Sequence, residues 1–154
     1  MPLPPWARDD VAVRSGSGHP VEVGERSEAV ILAAFVERGF EVLLPWGTNH
    51  RYDMVLDLGD RFLRVQCKTG RIKNGAVLFS ARSVRCNTKR NLTREYVGEI
   101  DYFAVYCPAN RGVYLVACDE TTRTEVMLRI EPAANNQSKR IRWAADYHLA
   151  RFAP

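Results

Sequence analysis

Between Tyr52 and Lys68 apolar and polar residues alternate along two short runs, Tyr52–Leu58 and Arg61–Lys68, that flank Gly59-Asp60. A period of two predicts strands, and a glycine-led pair between them suits a two-residue II′ hairpin turn. That turn sets Leu58 opposite Arg61 and Asp53 opposite Gln66. One face of the hairpin then carries Met54, Leu56, Leu58, Leu63, Val65 and Cys67, a purely apolar set that must be core. The other carries Val55 and Phe62 together with Asp53, Gln66 and Lys68. An acid, an amide and an ammonium thus converge at one end of a rigid hairpin.

The rest of the pattern builds outward from there. Gly24–Arg38 reads as a helix with Gly39 as its C-cap. Its Ala29–Val36 run is continuously apolar, which predicts a largely buried helix. Glu28 shares a face with Ile31, Leu32 and Phe35, and a carboxylate there needs a cation: Arg26, Lys68, or an active-site partner. Met1–Val23, rich in Pro, Gly and Ser, reads as a flexible arm (1–23) before a single domain (24–154). Glu41–Pro45 is a short strand, and Trp46–Arg51 a loop that delivers Asn49, His50 and Arg51 to the mouth of the site. His50 has no second histidine in suitable surroundings, so a loop or DNA contact suits it better than an HNH centre. Thr69–Gly75, with Arg71 and Lys73, is expected to be a loop, Ala76–Ala81 a strand, and Ser83–Gly98 a mobile DNA-binding loop. Asp101–Cys107 and Gly112–Cys118 read as central strands joined by Pro108–Arg111. Asp101 is expected to position the loop before it. A helical turn at Asp119–Thr122, a strand at Thr124–Ile130, a loop at Glu131–Ser138 and a terminal helix at Lys139–Leu149 complete the chain. The predicted class is α/β, a central mixed β-sheet flanked by α-helices.

Charge adds a partner to this picture. The net charge is +4 and the pI near 9.0. The excess concentrates in Arg82, Arg85, Lys89, Arg90 and Arg94, interleaved with Asn and Thr, and again over Lys139–Arg142. Cations among short polar donors suit phosphate contact, with a solvated face as the plain alternative. The four cysteines, Cys67, Cys86, Cys107 and Cys118, lack zinc-knuckle spacing and read as reduced thiols of a cytoplasmic protein. There is neither a signal-peptide core nor a run of membrane-spanning length, and no organic cofactor or membrane partner is expected.

Four stretches in order, GERSEA from Gly24, RYD from Arg51, RVQCKTGR from Arg64 and YVGEIDYFAVY from Tyr96, carry a resemblance. An acid on one strand and Gln66-Cys67-Lys68 on the next is similar to the QxK variant of the PD-(D/E)XK nucleases. The wider set resembles the group I intron-associated PD-(D/E)XK homing endonucleases, over roughly Gly24 to Tyr147. The resemblance implies a restriction-endonuclease-like core and a metal-dependent endonuclease acting on double-stranded DNA. It also implies that Glu28, Asp53, Gln66 and Lys68 are catalytic, Glu28 as the acid of the family's first helix.

Oxygen donors favour Mg²⁺, with Mn²⁺ as a substitute. Asp53 is the strong candidate ligand, Gln66 and the Cys67 carbonyl are neutral ones, and Glu28 offsets the charge missing at Gln66. An amide has no useful basicity, so Gln66 is not a general base. Lys68 supplies positive charge to the attacking water or the transition state. A nuclease that cuts both strands is expected to be a symmetric homo-oligomer, a dimer or tetramer. The alternatives are a junction-resolving or restriction-type nuclease, and a nucleic-acid-binding module without cleavage.

Overall fold

The computed structural model describes residues 18–87, 90–121, 124–135 and 139–154, with the backbone alone for 83–87 and 90–94. Helix α1 spans Pro20–Glu37. It starts inside the segment expected to be a flexible arm, because Pro20 fixes a helical φ at a position with no N–H to satisfy, and the His19 ring accepts from Val21 N–H. Gly39, at φ 85°, ends it as expected. The expected burial of α1 does not hold. Ser27, Ile31 and Phe35 face inward, whereas Ala29, Val30, Ala33 and Val36 are exposed. Only one stripe of the helix meets a sheet, and small apolar residues are common on surfaces.

The strands are β1 (Glu41–Leu43), β2 (Met54–Asp57), β3 (Phe62–Thr69), β4 (Arg71–Lys73), β5 (Ala76–Ser80), β6 (Arg82–Asn87), β7 (Arg90–Glu95), β8 (Tyr102–Cys107), β9 (Gly112–Ala117) and β10 (Glu125–Arg129). A five-stranded mixed sheet runs β1-β2-β3-β8-β9, with β3 and β8 parallel and the other neighbours antiparallel. The predicted hairpin forms in the predicted register: Met54 pairs with Val65 and Leu56 with Leu63, and Leu58 N–H donates to the Arg61 carbonyl. Gly59 has φ 82°, the glycine-led conformation that the turn requires.

One sheet was expected, and three form. Strands β10-β5-β4 make a second, antiparallel sheet, and β6-β7 a two-stranded ribbon. Two segments expected to be loops are therefore hairpins. Thr69–Gly75 contributes the end of β3, all of β4, and an Asn74-Gly75 turn with φ 50° and 71°. Ser83–Asn87 and Arg90–Glu95 form most of the ribbon, and the described residues from Tyr96 onward leave the ladder. Strand β9 lies at the edge of its sheet, yet Gly112–Val116 are buried, as a covered strand should be. The expected terminal helix shrinks to α2 (Ala144–Tyr147), because Trp143 bridges to Arg129 and His148 to Tyr114, which holds this segment extended against the strands.

The five-stranded sheet is covered on both faces. Ile31, Phe35, Phe40, Met54, Leu56, Val65, Ala104 and Leu115 form the core beneath α1. Val77, Phe79, Phe103, Val105, Val116, Val126 and Leu128 form the core beneath the second sheet. Gly70 turns the chain from one sheet to the other, where a Cβ would lie 2.8 Å from Val77 Cγ1 and 3.1 Å from Val105 Cγ1. Among the described residues, no helix is long and apolar enough to cross a membrane.

Candidate active site

Strand alternation divides β3 between the two cores. Val65 and Cys67 turn toward α1, so Gln66 and Lys68 turn the other way, beside Phe103 and Val105 of β8. Asp53 arrives just before β2, held by its own N–H to the Val65 carbonyl at 2.9 Å. Its Oδ2 accepts from Gln66 Nε2 at 2.5 Å and from the Cys67 N–H at 2.7 Å. Gln66 Nε2 also reaches the Cys67 carbonyl at 3.4 Å. The amide therefore places its N–H₂ between two acceptor oxygens, those of Asp53 and Cys67.

Glu28 is half-buried at the margin of the inward stripe of α1. Burial, then the charges of Asp53 and Glu25, hold its carboxyl above the ordinary value. Burial likewise pushes Asp53 up, opposed by the Cys67 N–H, Lys68 and Gln66. Two mutually repelling carboxylates in a partly desolvated site gain from any cation that both can face. Of the partners open to Glu28, neither Arg26 nor Lys68 pairs with it among the described residues.

Lys68 forms no ion pair with Asp53 either. Its Nζ donates to the Arg82 carbonyl at 3.2 Å and to Tyr96 Oη at 3.4 Å, and sits 4.8 Å from the Tyr96 ring centre. Burial lowers its pKa to about 8, with Asp53 opposing and Arg51 adding to the shift. Burial, with Asp53 and Glu28, pushes the Cys67 thiol up, which leaves it unreactive while its carbonyl stays available to the site.

The donor set suits an oxygen-seeking divalent cation: the Asp53 and Glu28 carboxylates, the Cys67 carbonyl, and the Gln66 oxygen once the amide turns over. No group of three or more His, Cys, Asp or Glu side chains that could hold a metal occurs among the described residues. A cation here would rest on two carboxylates, neutral oxygens and water.

The residues expected to meet DNA separate into two kinds. Asn49 (φ 69°), His50, Arg71 and Lys73 are exposed. His50 Nε2 lies 2.6 Å from the Trp46 carbonyl, and Arg71 pairs with Glu125 at 2.7 Å. Arg82 pairs with Glu95 at 3.1 Å. Arg51, expected at the mouth of the site as a DNA contact, is half-buried and tied to neighbouring groups of the protein. It pairs with Glu99, donates to the Glu95 carbonyl at 2.8 Å, and lies 4.1 Å from the Tyr96 ring centre. Lys89 and the side chains of Arg85, Arg90 and Arg94 fall outside the described residues.

Two contacts went unread in the sequence, and a third, at Asp101, was read only in part. Tyr96, 5% exposed, is the floor under Lys68 and Arg51. Ser27 Oγ and Thr69 Oγ1, 2.6 Å apart, tie α1 to the end of β3 beside Lys68. Asp101 accepts from Arg64 N–H at 2.7 Å and from its guanidinium at 3.2 Å, which anchors β3, and the same guanidinium donates to the Gly98 carbonyl of the loop before Asp101 at 3.2 Å. Burial opposes ionisation of Asp101, and the Arg64 hydrogen bonds outweigh it, holding that carboxyl below the ordinary range. Tyr96 and Asp101 stand within the YVGEIDYFAVY stretch, the one signal that pointed to them.

Comparison with known proteins bears on the fold and the family. A bacterial homing endonuclease, I-Ssp6803I, has a similar structure, with a TM-score of 0.70 and 23% identity over 87% of this chain and 91% of that one. The Holliday junction resolvase Hjc of Archaeoglobus fulgidus aligns more loosely, with a TM-score of 0.42 and 18% identity over 69% and 83% of the two chains. No curated protein sequence matches. The first likeness shows a restriction-endonuclease-like fold. The family model for PD-(D/E)XK endonucleases matches residues 19–150, nearly the whole described chain, and the protein belongs to the PD-(D/E)XK endonuclease family.

Proposed function

We propose that this nuclease is a Mg²⁺-dependent endodeoxyribonuclease that hydrolyses phosphodiester bonds in double-stranded DNA, in the manner of a homing endonuclease, with Mn²⁺ as a substitute. One observation carries the reading. Asp53, Gln66 and the Cys67 carbonyl are hydrogen-bonded into one oxygen-rich cluster, and on the same strand face Lys68 stands beside them without pairing to Asp53. A bound divalent cation supplies Lewis acidity and a water of lowered pKa. Asp53 and Glu28 hold negative charge for it, and Gln66 orients Asp53. Lys68 presents an ammonium to the phosphate oxygens, where developing charge is stabilised.

The homing-endonuclease character rests on the motif order and on the likeness to I-Ssp6803I. A homo-oligomer is the expected working form. Its support is exposed apolar surface on neighbouring elements: Val36 at 58%, Leu44 at 59% and Trp46 at 97%. Cys67, Cys107 and Cys118 are free thiols, which favours a reducing, cytoplasmic setting.

Supercoiled plasmid with Mg²⁺ tests the reading. Asp53→Asn should lower cleavage by roughly 10²–10³-fold while metal-free DNA binding persists or tightens. Lys68→Ala should abolish cleavage with a small loss of binding, and Gln66→Glu should remain active with a shifted metal optimum. Cleavage by Asp53→Asn at the wild-type rate would end the assignment. The second reading, a nucleic-acid-binding module without cleavage, draws on the missing acid at Gln66. It is favoured if the wild type binds duplex yet leaves plasmid uncut in both Mg²⁺ and Mn²⁺.

A further inference from the structure

Two cations, one from the loop before β2 and one from β3, converge on a single aromatic ring. The Arg51 guanidinium lies 4.1 Å, and Lys68 Nζ 4.8 Å, from the centre of Tyr96. That ring is buried and packs edge-on against Phe103 at 5.4 Å, so it cannot move independently of the five-stranded sheet. Each cation also donates to the backbone of the ribbon stem. Lys68 bonds the Arg82 carbonyl, where β6 begins, and Arg51 the Glu95 carbonyl, where β7 ends. Arg82 and Glu95 face each other across the ladder and pair through their side chains. Glu99 completes the arrangement as the carboxylate partner of Arg51.

We infer that Arg51 and Tyr96 are positioning residues that lock the stem of the β6–β7 ribbon to Lys68, so that nucleic acid held along the ribbon is presented to the active site at a set distance. This rests on the nuclease reading above and deepens it. A two-stranded ribbon standing apart from both sheets has little rigidity of its own. Its register with the site must come from its stem. The stem has one bond from each cation, on opposite strands, and both cations rest against the same buried ring. Side chains from the ribbon that meet phosphates therefore act from a fixed base. Arg51 is in this account a part of the frame and not a DNA contact.

The experiment compares Arg51→Met, Arg51→Lys, Tyr96→Leu and Tyr96→Phe with wild type. Three readouts are taken: single-turnover cleavage of supercoiled plasmid with Mg²⁺, affinity for a labelled random-sequence duplex in EDTA, and the NMR shift of the Lys68 ε-methylene protons. In wild type those protons lie near the Tyr96 ring and should be shifted upfield. Arg51→Met and Tyr96→Leu should cut more slowly by roughly 10²-fold, the scale of a small misplacement of a reacting group, with duplex affinity little changed. Tyr96→Phe keeps the ring but removes the hydroxyl that accepts from Lys68 Nζ at 3.4 Å, so it should fall between Tyr96→Leu and wild type, as Arg51→Lys should between Arg51→Met and wild type. In Arg51→Met the ε-methylene shift should move toward that of a free lysine. Parallel loss of rate and affinity in Arg51→Met would make Arg51 an ordinary DNA contact and overturn the inference. So would an unmoved Lys68 signal in Arg51→Met. If the wild type neither cuts nor binds, the nuclease reading fails, and the Lys68 signal still decides the clamp.

Discussion

Lys68 is worth following as a single residue, because its surroundings suit a reaction better than they suit a stable protein. Its ammonium lies over Tyr96, near Phe103, and its pKa falls to about 8 from an ordinary 10.5. Between those values the unfolded chain holds the proton and the folded chain does not, so stability rises with pH across that window. Below pH 8 the charge is carried in both states and the penalty of burying it is fully present. Lys68→Met should therefore raise the Tm at neutral pH, by an amount that corresponds to about 3 kcal/mol. That advantage should shrink as pH climbs from 8 toward 10.5. Thermal melts of both proteins in EDTA on either side of that window check it, and a difference that ignores pH would contradict the account. At this scale the hairpin was legible. Strand alternation and a two-residue turn suffice to put Asp53, Gln66 and Lys68 together. The floor beneath Lys68 was not legible, since Arg51, Lys68 and Tyr96 come from three separate segments and only the finished fold joins them.

Among the elements, what escaped the sequence reading were strands without a clear apolar period of their own. Strand β4 has three residues, all exposed, too few for a period to show, although Asn74-Gly75 is a strong turn signal in hindsight. The ribbon β6–β7 is polar along most of both strands, so alternation carries no contrast there. Strands β8 and β9, nearly continuous apolar runs, were legible as strands though β9 lies at the sheet edge, and α1 was legible as a helix but not in how little of it is buried. The joints between elements are tight as well. Gly70 leaves no room for a methyl group between Val77 and Val105, and its N–H donates to the Tyr106 carbonyl at 2.7 Å. Gly70→Ala should destabilise by about 1–3 kcal/mol, seen as a lower urea midpoint. Removing the bond across the other joint, by Ser27→Ala, leaves Thr69 without its partner and should cost about 1–2 kcal/mol. An unchanged midpoint in both would mean that the junction of α1, β3 and the second sheet is looser than its packing implies.

The whole molecule carries +4, and much of that excess lies on the ribbon. The ladder sets Ser83 opposite Arg94, Arg85 opposite Leu92 and Asn87 opposite Arg90, which gives Arg85, Arg90 and Arg94 like positions in the strand alternation. Neutralising Arg85, Lys89 and Arg90 together should weaken duplex binding and flatten its salt dependence, by about 0.9 in log–log slope for each phosphate that the protein no longer neutralises. Anisotropy titrations at several salt concentrations measure that slope, and an unchanged slope would move the DNA-binding face elsewhere. A last consequence follows from the parallel register of β3 with β8. These neighbours in the sheet are separated along the chain by β4, β5 and the entire ribbon, so their pairing closes a long loop before any contact rewards it. During synthesis, Glu28, Asp53, Gln66 and Lys68 all leave the ribosome well ahead of Phe103. A chain interrupted before β8 thus holds every proposed catalytic residue, yet it lacks the ring that supports Tyr96 and the strand that completes the sheet beside Lys68, and the nascent protein carries no finished nuclease site until that late segment is in place.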